Sequence, residues 1–201
     1  KCVITKWFRA NGAGPMFTKE PNEFIPNFTK IGFKKSRLDP ALYKRIAQFY
    51  RQNLQSSRDE QVEGDYIYSE DPSQKASTVV ELPQEMRAEI HASLQRELTE
   101  WSGTNLKPTY VYGIRTYHRG AILKPHRDRL DTHIISAIIN VDQKADTPWP
   151  LSIEDNYYRT HQVYLRPGEM VYYEGARLTH GRPEAFDGKQ FANIFCHYMP
   201  A

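Results

Sequence analysis

Apolar residues recur at helical spacing in two stretches of the first half of the chain, then alternate residue by residue through the second half. Leu42, Ile46, Phe49, Tyr50 and Leu54 follow Asp39-Pro40 at steps of about three and four, which predicts an amphipathic helix over 40–55. Asp39 offers an N-cap acceptor, and Pro40 suits the first helical position. Leu82-Pro83 opens a second helix with the stripe Met86, Ile90, Leu94, Leu98 and Trp101, and Gly103 fits its C-terminal end. From about residue 108 the period drops to two. Strands are predicted at 109–118, 121–126, 133–141, 149–154, 161–166, 169–174, 178–182 and 190–198. Gly120, Asp142, Asp146-Thr147-Pro148, Pro167-Gly168, Gly175 and Asp187-Gly188 punctuate them. Residues 1–36 read as irregular structure with room for one edge strand, and the polar, turn-rich stretch 56–78 reads as a loop.

Short strands with even turns suggest a closed or double-sheet β-barrel. The two helices would pack outside one sheet and cover its face. The expected class is therefore α+β, mainly β, in one domain over 1–201. Residues 1–107 would form a helical and irregular support, and 108–201 the β core.

Composition narrows the class without naming a function. Of 201 residues, 39% are hydrophobic and 25% charged, and 27 basic side chains against 24 acidic ones leave a net charge of +3. No Lys/Arg run implies a nucleic-acid partner, and no apolar run is long enough to span a bilayer. The chain opens on Lys1 rather than Met, so a trimmed chain is expected, from which a signal or anchor could have been removed; compartment and oligomeric state stay open. Cys2 and Cys196 are too few for a disulfide framework, and Cys196, inside an alternating apolar run, reads as a buried thiol.

The chemistry concentrates late in the chain. Six of the seven histidines lie between 118 and 197. A lone histidine in a strand is more often a structural hydrogen-bonding residue than a ligand. His126 and Asp128, in Pro125-His126-Arg127-Asp128-Arg129, change that balance, because residues two apart on an extended strand face the same side. His180, in Leu178-Thr179-His180-Gly181-Arg182-Pro183, could return to them across a barrel. Two imidazoles and one carboxylate on one face of a divalent iron leave the opposite face open, as in the 2-His-1-carboxylate triad of non-haem Fe(II) sites. An H-x-D also occurs in solvated turns, and Arg127, Arg129 and Asp131 are compatible with that. Lys189, nine positions after His180, reads either as a solvated side chain or as a fixed cation for a bound dicarboxylate.

Together these residues resemble the prolyl 4-hydroxylase-like branch of the Fe(II)/2-oxoglutarate dioxygenases over about 108–198. The likeness rests on Tyr117-His118-Arg119-Gly120, Pro125-His126-Arg127-Asp128 and Arg166-Pro167-Gly168-Glu169-Met170-Val171-Tyr172-Tyr173-Glu174. It rests also on His180-Gly181-Arg182-Pro183 and Lys189. It implies a double-stranded β-helix (jelly-roll) core with the helices on one sheet. It further implies iron on His126, Asp128 and His180, and 2-oxoglutarate and O2 as co-reactants with ascorbate as a candidate reductant. Lys189 would grip the far carboxylate, Tyr117 would line the cosubstrate pocket, and Ser136 or Asn140 would assist. His197 would line the site, and Phe195 takes a usual aromatic position. Leu123 and His133 stand where the family usually carries a tyrosine and an arginine facing the prime substrate. The implied reaction is hydroxylation of an unactivated C–H bond, a peptidyl proline being the first candidate and a small molecule the other. The 56–78 loop and Trp149–Tyr158 are expected substrate covers.

Three other readings compete. A non-catalytic β-barrel binding module could keep a vestigial metal site and stack ligands on Tyr157, Tyr158, Tyr172 and Tyr173. A zinc hydrolase could use the same ligands, but there is no HExxH and no adjacent general-base glutamate. The tripeptide His126-Arg127-Asp128 fits a kinase catalytic loop only with a Gly-rich loop and D-F-G, which the chain lacks.

Overall fold

The computed structural model describes residues 25–201; the expectations for the first 24 residues, and for Cys2, lie outside the described residues. The first elements in chain order are β1 (Phe33–Arg37), α1 (Pro40–Gln52), β2 (Arg58–Asp59), β3 (Ile67–Ser69), β4 (Ser77–Val79) and α2 (Gln84–Ser102). There follow β5 (Leu106–Tyr117), β6 (Ala121–His126), β7 (Ile135–Ala145), β8 (Leu151–Glu154), β9 (Thr160–Val163), β10 (Glu169–Tyr173), β11 (His180–Arg182) and β12 (Gly188–Pro200). A seven-stranded sheet runs β1-β10-β7-β12-β5-β4-β2, and a five-stranded sheet runs β3-β6-β11-β8-β9. All pairs are antiparallel, and successive strands from β5 onward divide between the two sheets in the manner of a jelly roll.

Both helices end where their caps dictate. The Asp39 carboxylate accepts the Leu42 N–H at 2.9 Å, with Pro40 at the first helical position. Gly103, at φ 69°, closes α2 in the left-handed conformation, its N–H donating to the Thr99 carbonyl. Helix residues Leu42, Ile46, Tyr50, Ile90, Leu94 and Leu98 pack in one core against Ile135, Ala137, Ile139, Ile194 and Tyr198 of the larger sheet. Each fully buried Leu or Ile contributes roughly 1.5–3 kcal/mol, so this face carries much of the stability. Cys196 lies in the same core, and burial pushes its thiol up to about 12.

Alternation along the central strands turns the other residues inward. On β7, Ile135, Ala137 and Ile139 meet the helices, while Ser136, Ile138 and Asn140 face the interior of the barrel. On β12, Ile194 and Cys196 meet the helices, and Phe195 and His197 line the cavity. The predicted loop over 56–78 contains three short strands. β2 and β4 extend the larger sheet beyond β5, and β3 edges the smaller one beside β6. Strands of two or three residues leave no periodicity to read, and only their partners' free edges order them. Among the described residues no helix is long and apolar enough to cross a membrane.

Candidate metal centre and its cavity

Two antiparallel neighbours of the smaller sheet bring the histidines together. His126 ends β6, His180 begins β11, and the two are directly paired, with ring centroids 4.5 Å apart. The chain leaves the sheet after His126, so Asp128 is placed by a loop rather than by strand alternation. Its backbone N–H donates to the Gly175 carbonyl at 3.0 Å. Asp128 Oδ1 then lies 3.6 Å from His126 Nε2 and 3.5 Å from His180 Nε2. One ligand atom from each of the three residues falls within 4.8 Å of the others.

The tautomers follow from the neighbours. His126 Nδ1 lies 2.8 Å from the Lys124 carbonyl, and His180 Nδ1 lies 2.9 Å from the Leu178 carbonyl. A carbonyl only accepts, so each Nδ1 carries the proton and donates. Each Nε2 is left with a free lone pair turned toward Asp128. The Tyr173 hydroxyl donates to Asp128 Oδ2 at 3.0 Å and leaves Oδ1 toward the histidines. Gly175 makes this possible by its size: a Cβ there would sit 2.4 Å from Asp128 Oδ2. Burial works to raise the Asp128 pKa, but His180, His126 and His197 outweigh it and hold the carboxyl well below its usual value. Burial and the neighbouring Asp128 charge push the Tyr173 phenol well above its ordinary range, so it stays a donor. An ionised carboxylate and two neutral imidazoles around an open side are a donor set that fits a divalent first-row metal.

The three residues open into a cavity of about 1000 Å³. Leu123, His133 and His197, the expected substrate-facing residues, all line it, as does Phe195. His133 and His197 stack at 3.6 Å between ring centroids. Ser136 Oγ lies 2.8 Å from His197 Nδ1. Burial first and His133 second hold His197 well below the usual histidine value. Ser136 therefore supports His197 instead of reaching the cavity. Asn140 donates to the Ala192 carbonyl and to Asn193 Oδ1 and ties β7 to β12. Tyr117 is fully buried beside Trp149, 5.1 Å away edge-on.

Lys189 does not join them. It is exposed at the start of β12 and lies outside the cavity lining. Sequence spacing aimed it inward, but register shifts interrupt β12 on both sides of this region, and the buried face begins at Phe191. The expected cover over Trp149–Tyr158 also lies elsewhere, since none of those residues lines the cavity. The 56–78 segment does form a wall, through Glu60, Gln61, Val62, Tyr66 and Ile67. The Tyr66 ring stacks on His126 at 5.7 Å.

Three features escape a reading by motif. Glu60, in the segment read as loop, is buried against Arg115, whose Nη2 approaches Glu60 Oε1 at 2.5 Å and whose Nε lies 2.8 Å from Oε2. Tyr112 and Ser77 hydroxyls donate to the same carboxylate. Tyr173 and Gly175 shape the Asp128 carboxylate from a different part of the chain. Arg182, buried two positions beyond His180, lies in the interior. Only Arg182 carried a readable signal, because strand alternation sets it on the same side as His180.

No protein-family model matches the sequence, and no curated protein matches it. Solved structures share the fold. A Pseudomonas putida prolyl-4-hydroxylase aligns with TM-score 0.57 and 16% identity over 86% of this chain and 94% of that one. HygX from Streptomyces hygroscopicus, solved with nickel, 2-oxoglutarate and hygromycin B, aligns with TM-score 0.58 and 13% identity, covering 85% and 84%. EctD from S. alaskensis, with 2-oxoglutarate and 5-hydroxyectoine, aligns with TM-score 0.58 and 15% identity, covering 93% and 81%. The chain has the jelly-roll fold of these proteins.

Proposed function

We propose that this chain is an Fe(II)- and 2-oxoglutarate-dependent oxygenase that hydroxylates an unactivated C–H bond and releases succinate and CO2. The observation that carries the reading is the convergence of His126 Nε2, His180 Nε2 and Asp128 Oδ1 at the head of a large cavity, with both Nδ1 protons spent on backbone carbonyls. Iron bound there would supply the oxidising chemistry with 2-oxoglutarate and O2. The chain's own part is orientation. Tyr173 and Gly175 fix which Asp128 oxygen faces the metal side. His197, kept neutral by burial, and its stacking partner His133 form a polar wall without adding charge next to the ligands. The segment bearing Tyr66 and Glu60 shields that wall from solvent.

A hydrolytic zinc site finds less support. Glu60 is the only glutamate among the described residues lining the cavity, and its ion pair with Arg115 occupies it. The binding-module reading is weakened because Tyr172 and Tyr173 are buried, while exposed Tyr157 and Tyr158 lie outside the cavity.

A peptidyl proline is the first substrate candidate, through the resemblance to prolyl hydroxylases. A small molecule is the second, favoured by the roof that residues 60–67 place over the ligands and by Leu123 and His133 on the substrate side. The test is a screen of proline-rich peptides against small molecules, read by succinate formation and a mass gain of one oxygen in the product. His126→Ala and Asp128→Ala are each expected to abolish turnover without unfolding the domain. Undiminished succinate in both variants would end the reading.

A further inference from the structure

Arg182 is a buried cation without a counter-ion. The residue is 2% exposed, and its guanidinium lies 4.6 Å from the ring centroids of both Trp149 and Phe191. Nη1 donates to the Trp149 carbonyl, while Nη2 has no hydrogen-bond partner. No carboxylate among the described residues forms an ion pair with it. Two aromatic faces return only a fraction of what removing a guanidinium from water costs. Such a residue is expected where an anion completes the site.

Its place in the barrel defines that anion. His180 and Arg182 face the same side of β11, two strand positions or roughly 7 Å apart along the chain. Leu123 is the register partner of Arg182, and Leu123 lines the cavity that holds the triad. Phe195, another lining residue, packs against the same cluster of Tyr117, Trp149 and Phe191. The other interior guanidinium near Tyr117, that of Arg115, is already neutralised by Glu60. The spacing suits a short dicarboxylate with one end at the metal ligands and the other deeper in the barrel.

On the oxygenase reading above, we propose that Arg182, with Tyr117 beside it, binds the distal carboxylate of the 2-oxo dicarboxylate cosubstrate, the task that sequence spacing assigned to Lys189. A guanidinium offers two parallel N–H groups to a carboxylate, and Nη2 is the donor left open for it.

Calorimetry in the presence of Mn(II) tests this on the whole chain with two ligands. One is 2-oxoglutarate; the other is 2-oxopentanoate, which keeps the 2-oxo acid and lacks the distal carboxylate. Arg182→Gln is expected to weaken 2-oxoglutarate binding about 30-fold or more and to leave 2-oxopentanoate unchanged. Arg182→Lys, which retains the charge and the apolar stem, is expected to lose about tenfold for 2-oxoglutarate alone as the paired donors are lost. Lys189→Ala should bind both as the parent does. Equal weakening of both ligands would mean that Arg182 only packs the core, and would overturn the proposal. So would undiminished 2-oxoglutarate binding in the Arg182 variants, or a selective loss in Lys189→Ala. A parent chain that binds neither ligand with Mn(II) would instead overturn the oxygenase reading itself.

Discussion

The two faces of the seven-stranded sheet are built from the same strands and do opposite work. The face toward the helices is uniformly apolar: Ile135, Ala137, Ile139, Ile194 and Cys196 meet Leu42, Ile46, Leu94 and Leu98. The face toward the second sheet carries Ser136, Asn140, Asn193 and His197, all buried and three of them in hydrogen bonds given above. Burying apolar groups stabilises without directional demands, whereas burying polar groups costs free energy unless each finds a partner. The outer face can therefore absorb many substitutions of similar volume. The inner face works only when side chains from separate strands meet in register.

The comparison is broken most sharply by removing volume from the outer face. Leu98→Ala is expected to destabilise the protein by about 2–5 kcal/mol and to leave metal affinity of the folded molecule unchanged; denaturant unfolding and metal titration measure the two separately. A coupled loss of both would show that the faces are not independent.

Glu60→Gln probes the roof over the inner face. It leaves the Arg115 guanidinium without its counter-ion and is expected to cost about 1–3 kcal/mol. The pH dependence has a definite sign. Burial would raise the Glu60 pKa, but Arg115, Tyr112 and Ser77 together hold it below its ordinary value. The stability it contributes is thus fully present above about pH 4.3 and is lost as pH falls through the lower folded-state value. Unfolding curves of Glu60→Gln should lack this acid-limb component, and identical limbs would remove Glu60 from the account.

Tyr173→Phe is the smallest change. It keeps the ring and deletes only the donor to Asp128 Oδ2. Metal affinity is expected to fall about tenfold, with turnover at saturating metal less affected. An unchanged affinity would leave the Asp128 orientation to Gly175 and the backbone alone.

Both helices and the eight later strands were legible because each runs through enough residues to show its period. Asp39-Pro40 and Gly103 marked helix ends through local backbone chemistry that needs no distant partner. The triad was legible as a motif because His126 and Asp128 are adjacent and His180 opens a short strand between turn residues. β2, β3 and β4 were not, since elements of two or three residues are held by the edges they join. The assignment of Lys189 failed because irregularities in β12 displaced its face, and a one-residue change of register moves a side chain across the sheet.

What the sequence determined by itself was therefore local: periodicity, caps, and the kinds of ligand available at 126, 128 and 180. Tertiary structure alone decided which oxygen of Asp128 turns toward the histidines, that Glu60 pairs with Arg115 across 55 residues, and that the interior cation is Arg182. Those outcomes depend on contacts between strands distant in the chain, where register and the cost of an unpaired buried charge do the selecting.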